Sequence, residues 1–328
     1  MTIGTAQVPQ VSVTLTFADR LGAWRARWGI GRMNYMVPPG LYAIGNPTPE
    51  APVLVTANYK MSYDTIRSIL AERNVWLLVL ETFGINVWCA AGKGTFGTEE
   101  LVRRIGLSGL EKIVAHRQLI LPILGAPGVA AHEVKKQTGF TIRYATIRAD
   151  DLPEYLDNGM VTTPAMGEIT FTTLERLVLI PVELVQALKP TAITAAILFI
   201  IVSVLQGAAN GVTAVYAYLG AVVAGAAIAP LLLPWLPGRS FAGKGALMGL
   251  VWSAAFYLIA GAGGWSVPVI VAAFLMLSAV SAFYTLNFTG CTTYTSRSGV
   301  KKEMRIAMPT MACAVLVSLI FLFVGRLL

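Results

Sequence analysis

The side chains of this sequence best suited to holding a soft metal are three cysteines, Cys89, Cys291 and Cys313, and two histidines, His116 and His132. No two cysteines stand as CxxC, which disfavours both a disulfide framework and a self-contained zinc or iron–sulfur site. Any iron–sulfur electron donor is then expected to be another chain. Cys89 lies in the most suggestive segment, INVWCAAGKG. The spacing predicts a short helix with Asn86 as its cap, Val87, Trp88 and Cys89 in its first turn, and Gly92 or Gly94 at its end. A thiol in that place meets unpaired N–H groups and the positive end of the helix dipole, and Lys93 adds a nearby charge. Thiolate and metal ligation are favoured there. A buried, inert cysteine fits the same spacing equally well.

The elements that must position this turn follow from the pattern around it. From residue 52 short β-branched runs alternate with amphipathic stretches: PVLVTA, YDTIRSILAER, VWLLVLET, EELVRRIG, LILPI, GVAAHEVKKQ, TIRYATI and DLPEYLDNG. Such alternation predicts an α/β domain, a Rossmann-like parallel sheet flanked by helices, over residues 51–165. Ligands of these sheets bind outside the carboxyl ends of the strands. The functional loops are therefore ANYKMS, FGINVWCAAGKGTFG and LGAPG, whose small residues let a backbone approach a large flat ligand. The glycines form neither GxGxxG after the first strand nor GxxxxGK[ST], which disfavours nucleotides. Residues 1–50 show little periodicity and are expected to be an irregular arm, with Arg20, Arg25, Arg27 and Arg32 among tryptophans.

Composition places the rest of the chain in a bilayer. Hydrophobic residues make up 55% of the sequence and charged residues 13%, too apolar for an ordinary soluble protein. Up to Pro190 there are 18 Lys/Arg and 16 Asp/Glu, whereas beyond it there are 7 basic residues and one acid, Glu303. Five apolar segments, at about 191–209, 212–236, 246–262, 267–288 and 306–325, each approach the length needed to span a membrane. The transmembrane part is expected over 191–328, preceded at 166–190 by an interfacial linker helix around LERLVLIPVELVQALK. A plain core or linker helix explains that stretch as readily. The loops holding Arg239 and Lys244, and Arg297, Lys301, Lys302 and Arg305, alternate with uncharged ones. The positive-inside rule puts the basic loops and the N-terminal domain in the cytoplasm and the C-terminus outside an inner (cytoplasmic) membrane. No span centre holds a charge, which argues against an ion pathway. A net charge of +8 without a basic stripe interleaved with aromatics argues against nucleic acid. The N-terminus lacks the pattern of a secretory signal.

INVWCAAGK, residues 85–93, resembles the cap-helix signature of the HgcA family, the corrinoid proteins of microbial mercury methylation. VLVTANY (53–59), LGAPGVAAHEVKK (124–136) and NFTGCTTYTSRSGVKKEMR (287–305) resemble the same family, so the likeness covers most of the chain from about Val37. It implies a domain related to the corrinoid-binding part of the corrinoid iron–sulfur protein of acetyl-CoA synthesis. The implied cofactor is a corrinoid, cobalamin or a related B12 derivative, bound base-off with Cys89 as the lower axial ligand of cobalt. Carried over by position, Asn86, Val87, Trp88, Ala90, Ala91, Gly92 and Lys93 form the cap, while the loops Thr56, Ala57, Asn58 and Gly125, Ala126, Pro127, Gly128 line the corrin. Trp88 serves equally well as a core anchor for the cap.

The implied activity is that of a methyltransferase moving a methyl group from cobalt to Hg(II), forming methylmercury. A thiolate suits that acceptor, because a soft electrophile needs methyl that carries electrons and sulfur donates strongly to the metal. The implied partners are a ferredoxin-like HgcB with iron–sulfur clusters as reductant, methyl-tetrahydrofolate or its methyl carrier, Hg(II) and membrane lipid. The other corrinoid arrangement uses histidine from DxHxxG, which neither IVAHRQL around His116 nor VAAHEVK around His132 fits. Both histidines are read as structural, Cys291 as a loop cysteine that either is silent or passes on mercury, and Cys313 as packing. Two further functions remain open: a membrane-bound corrinoid methyl carrier of acetyl-CoA-pathway type with another acceptor, and a non-catalytic anchor or transporter subunit with a sensor domain.

Overall fold

The computed structural model describes residues 2–3, 6–292 and 294–327. The chain divides into two units, Met1–Thr170 and Phe171–Leu328.

Unit 1 is built on a five-stranded mixed sheet in the order β3 (Gly40–Ile44), β5 (Val75–Leu80), β4 (Val53–Ala57), β6 (Gln118–Leu121) and β7 (Thr141–Tyr144). A two-stranded ribbon, β1 (Thr2–Ile3) and β2 (Ala6–Gln7), precedes it. The strands β4, β5, β6 and β7 run parallel. β4 and β5 are buried along their whole length, as expected for central strands covered on both faces, and their sequences are unbroken apolar runs. The edge strand β3 is antiparallel to β5. It lies within the stretch expected to be an irregular arm, which also contains the helix α1 (Phe17–Arg27). Both escaped notice because α1 turns its apolar stripe outward and β3 is a lone edge with no partner visible in sequence. The chain around Pro9–Val11 covers the outer side of β3 through Ala43, leaving that edge protected.

The helices divide between the two faces of the sheet. α4 (Thr98–Ser108), α5 (Leu110–Ile113) and α6 (Ala131–Thr138) cover one face with Leu101, Ile105, Leu110 and Val134. α2 (Lys60–Ile69) and α7 (Leu152–Asp157) cover the other with Tyr63, Leu152 and Tyr155. The helix after β4 and the helix after β6 thus lie on opposite faces. That reversal opens a crevice between β4 and β6 at their carboxyl ends, the switch point where ligands of such sheets bind.

Unit 2 is helical, and five helices are long and apolar enough to cross a membrane: Thr173–Gln206, Ala208–Leu232, Phe241–Ile259, Val267–Gly290 and Ser298–Gly325. The first corrects the expected division at Pro190, because α8 (Thr173–Gln206) runs unbroken through Pro181 and Pro190. A separate interfacial helix at 166–190 is therefore absent from the described residues. Each proline removes one backbone bond, but an apolar solvent strongly favours keeping the remaining ones inside the helix. The second span is α9 (Ala208–Val223) continued through a π-helical turn and α10 (Ala229–Leu232). α11 (Phe241–Ile259) and α12 (Val267–Asn287) meet through small residues: a Cβ on Gly249 would stand 2.5 Å from Ser278 Cα. α13 (Arg297–Leu327) closes the unit. Close backbone approach of this kind is how apolar helices associate where burial from water gives no drive.

Candidate functional site

A cavity of about 330 Å³ occupies the switch-point crevice. Its walls are Leu54, Val55 and Thr56 of β4, Ile120 and Leu121 of β6 with Pro122 and Leu124 after it, the segment Ala145–Ala149 after β7, part of α2, and Asn86, Val87 and Trp88. β4 and β6 share one paired register position, Leu54 with Ile120, whereas β4 and β5 stay paired to Ala57 and Leu80. The strands thus part just where the cavity begins. Thr56 Oγ1 is fully buried on this wall and has no hydrogen-bond partner in the protein. An orphaned buried hydroxyl costs on the order of 1–3 kcal/mol, a cost that a polar group of a bound ligand would offset.

The turn around Cys89 folds as its residues predict. α3 (Val87–Lys93) starts at Asn86, whose side chain accepts from the Cys89 backbone N–H at 3.0 Å, and Gly94 ends it in the left-handed conformation. Asn86, Val87 and Trp88 face the cavity, and Ala90 and Ala91 pack into the core behind them. Trp88 is half-buried on the cavity wall, outside the core clusters. Cys89 follows on the same turn, half-buried, and is not itself part of the cavity wall. Gly92 and Lys93 are exposed at the far end.

Burial corrects the expected ionisation of Cys89. It pushes the thiol above its ordinary value, and the opposing pull of Lys93, Arg32 and the Asn86 side chain is too weak to reverse this. Desolvation of a charged sulfur outweighs cations that are themselves near solvent. The sulfur would enter a metal bond by giving up a proton, which metals readily enforce on thiols. Among the described residues no three His, Cys, Asp or Glu gather to hold a metal. A corrin ring brings most of its metal's ligands with it, so a single sulfur such as that of Cys89 would be enough from the protein. The orphaned Thr56 hydroxyl, the open crevice and a lone sulfur beside it fit that group, with the cavity receiving part of so large a ligand.

The other predicted residues have different duties. Asn58 is 1% exposed and spends its amide on the loop leading into α3. Its Nδ2 donates to Glu81 Oε1 at 2.7 Å, and its Oδ1 accepts from the N–H groups of Thr82 and Gly84, both at 3.1 Å. Ala57 points into the core. Glu81 in turn accepts from the Phe83 N–H, and Glu100, held by Arg103 and Arg104, accepts from the Glu81 N–H at 2.8 Å. This network holds Phe83 at φ 56°, a left-handed conformation unusual for a non-glycine residue. From the second loop Pro122 and Leu124 reach the cavity, while Gly125, Ala126, Pro127 and Gly128 do not. A Cβ on Gly128 would lie 2.1 Å from the Phe96 carbonyl oxygen and 3.0 Å from Ala91 Cα, so this loop packs against the back of α3.

Several residues of the site escaped the sequence reading. Thr146 and Arg148 line the cavity from the loop after β7, to which the strand-end rule applies as it does to the other three. Arg32 and Tyr59 stand beside the cap, where the Arg32 guanidinium lies 5.7 Å from the Tyr59 ring centre. Nothing local in the sequence signals that the arm returns there. His116 bonds to the Ala51 carbonyl and accepts from the Gln118 N–H, a structural role, while His132 is exposed. In unit 2 the Cys291 thiol donates to Glu183 Oε1 at 2.8 Å, and Cys313 is exposed.

Residues 31–155 match a family described as CO dehydrogenase/acetyl-CoA synthase delta subunit. Among curated relatives, the acetyl-CoA decarbonylase/synthase complex subunit gamma of Methanopyrus kandleri is 35% identical over 123 residues, 37% of this chain and 26% of that protein. The subunits gamma of Methanocaldococcus jannaschii and Archaeoglobus fulgidus are 33% and 34% identical over 124 and 113 residues, covering 37% and 34% of this chain and 25% and 24% of theirs. The chain thus spans about a quarter of the length of these relatives. The part of this chain that carries the likeness is the sheet unit with its cap helix, and it stops short of the first apolar helix at Thr173.

Proposed function

We propose that the sheet unit is a Rossmann-like domain that would hold a corrinoid at its carboxyl edge, with the Cys89 sulfur as the protein's ligand to its metal. The whole chain is then a membrane-bound corrinoid-dependent methyltransferase that forms methylmercury from Hg(II). One observation carries this: the first turn of α3 sets Cys89 next to residues Asn86, Val87 and Trp88, which wall a switch-point cavity, and the buried Thr56 hydroxyl in that wall has no partner. The likeness to acetyl-CoA decarbonylase/synthase subunits supports a methyl-transfer role for the same unit.

When bound, a corrinoid supplies a metal that takes up and releases a methyl group. The protein does the rest. Asn86 fixes the helix start and the Cys89 N–H, so the sulfur is presented from a rigid turn. Cys89, once deprotonated, would be the residue that holds the metal, and a strongly donating sulfur there would suit a group that passes methyl to a soft acceptor such as Hg(II). Val87 and Trp88 exclude water, Thr56 takes a polar group of the ligand, and the Asn58–Glu81–Glu100 network keeps the cap in place. HgcB, with its iron–sulfur clusters, is the proposed reductant, and methyl-tetrahydrofolate or its methyl carrier the proposed donor. The five spans anchor the unit in the inner membrane, with the basic loops and unit 1 on the cytoplasmic side and the C-terminus outside.

The test is the visible spectrum of the purified full chain loaded with corrinoid, beside mercury methylation by the same preparation. A thiolate-ligated spectrum lost in Cys89→Ala, together with lost methylmercury formation, is expected. Full activity in that variant overturns the reading. The subunit gamma relatives favour a second reading, a membrane-bound corrinoid methyl carrier with another acceptor. In that case the thiolate spectrum survives while Hg(II) accepts no methyl.

A further inference from the structure

The helix α1 turns an apolar stripe away from the protein. Phe17, Leu21 and Trp24 stand four and three residues apart on one side of it, and Trp28 continues the line beyond its end. Phe17 is 80%, Trp24 56% and Leu21 42% exposed, whereas Ala26, on the opposite side, is fully buried. At about 100° per residue, Arg20 falls along one border of the stripe and Arg25 along the other, and both are exposed. Ile30 and Met33, in the turn that follows α1, are exposed as well.

This outward orientation is held in place. Thr16 and Asp19 form a reciprocal cap at the helix start. Asp19 also binds Lys60 at 2.6 Å and Arg67 at 2.8 Å, which holds its carboxyl far below the usual range. Tyr35 donates to the Asp19 carbonyl at 3.0 Å. The single acid of α1 is thus spent on the inner side, and the outer side carries arginines and apolar groups alone.

Contiguous exposed apolar surface of this kind marks an interaction site, and its chemistry selects the partner. A tryptophan and other large apolar groups between arginines match the boundary of an anionic bilayer, where the rings sit at headgroup depth and the guanidinium groups meet phosphates. The chain itself carries such a surface along, because its first apolar helix begins three residues after unit 1 ends. We propose that α1 lies in the headgroup layer of the membrane, with Phe17, Leu21 and Trp24 inserted and Arg20 and Arg25 on lipid phosphates. The proposal rests on the reading of the five apolar helices as membrane spans and is independent of the corrinoid reading.

The full chain, reconstituted in phosphatidylcholine vesicles with or without phosphatidylglycerol, carries p-benzoylphenylalanine at Leu21, at Phe17, or at the exposed control Glu72. Irradiation followed by mass spectrometry should give lipid adducts at 21 and 17 but not at 72, with higher yield in the anionic vesicles. Arg20→Gln with Arg25→Gln should lower the docked-to-free ratio about 25-fold, about fivefold for each arginine. Adducts to a second copy, adducts to another protein when the same variants are irradiated in cell membranes, absence of lipid adducts, or equal labelling at 72 would each overturn the proposal.

Discussion

Replacing Asn58 by alanine removes the clasp on the loop that feeds the cap helix without touching the cavity wall. The side chain donates to Glu81 Oε1 and to the Met36 sulfur, and it accepts from two backbone N–H groups, Thr82 and Gly84, as well as from Thr82 Oγ1 at 2.9 Å. Thr82 Oγ1 retains the Ile85 carbonyl at 2.7 Å, so its loss is small. The two N–H groups have no replacement acceptor, and each buried donor left unpaired costs on the order of 1–3 kcal/mol. Relaxation of Phe83 from its left-handed conformation returns about 1 kcal/mol. A net cost of about 3 kcal/mol, local to residues 81–90, follows, which corresponds to about 150-fold faster amide exchange there. Hydrogen exchange read by mass spectrometry, peptide by peptide, is the assay. The sheet core should keep its protection, because β4 and β5 retain their full pairing. Unchanged exchange across 81–90 in the variant would refute the claim that Asn58 holds the cap.

Gly128→Ala should lower the thermal stability of unit 1 by about 1–3 kcal/mol, since the new methyl meets the backbone of Phe96 and Ala91 rather than a movable side-chain tip; an unchanged melting temperature would show that the loop shifts freely. Thr56→Val should be neutral or stabilising by about 1 kcal/mol in thermal unfolding of the ligand-free protein, because it deletes an unpartnered buried hydroxyl. The same variant should retain corrinoid less well, and undiminished retention counted by absorbance would remove Thr56 from the site. Burial raises the Cys89 thiol, so its neutral form prevails through neutral pH and each metal–sulfur bond formed releases a proton. Ligation should therefore weaken as pH falls, by about tenfold per unit while the thiol is the free form, and a thiolate-type spectrum indifferent to pH would contradict this.

Local signals carried far in this chain because they arise from local physics. The unbroken apolar runs of β4 and β5, the amphipathic stretches between strands, the Asn86 cap and the left-handed glycine at 94 each express bonding within a few residues. Length and apolarity alone marked five spans, although the proline at 190 suggested a helix boundary that the backbone ignores. That a crevice opens at the strand ends was also legible, since it follows from parallel order.

What the tertiary structure alone decided is which of those loops face one another. Thr56 and the first turn of α3 meet across the crevice because the helices after β4 and β6 cover opposite faces, a fact no segment encodes by itself. Asn58 and Gly128, read as ligand contacts, instead hold and support the cap, because their partners at Thr82, Gly84 and Ala91 come from distant stretches of chain. The charge state of Cys89 turned the same way: helix position and Lys93 favour thiolate, but the depth of burial is set by everything packed around the turn, and desolvation is the larger effect.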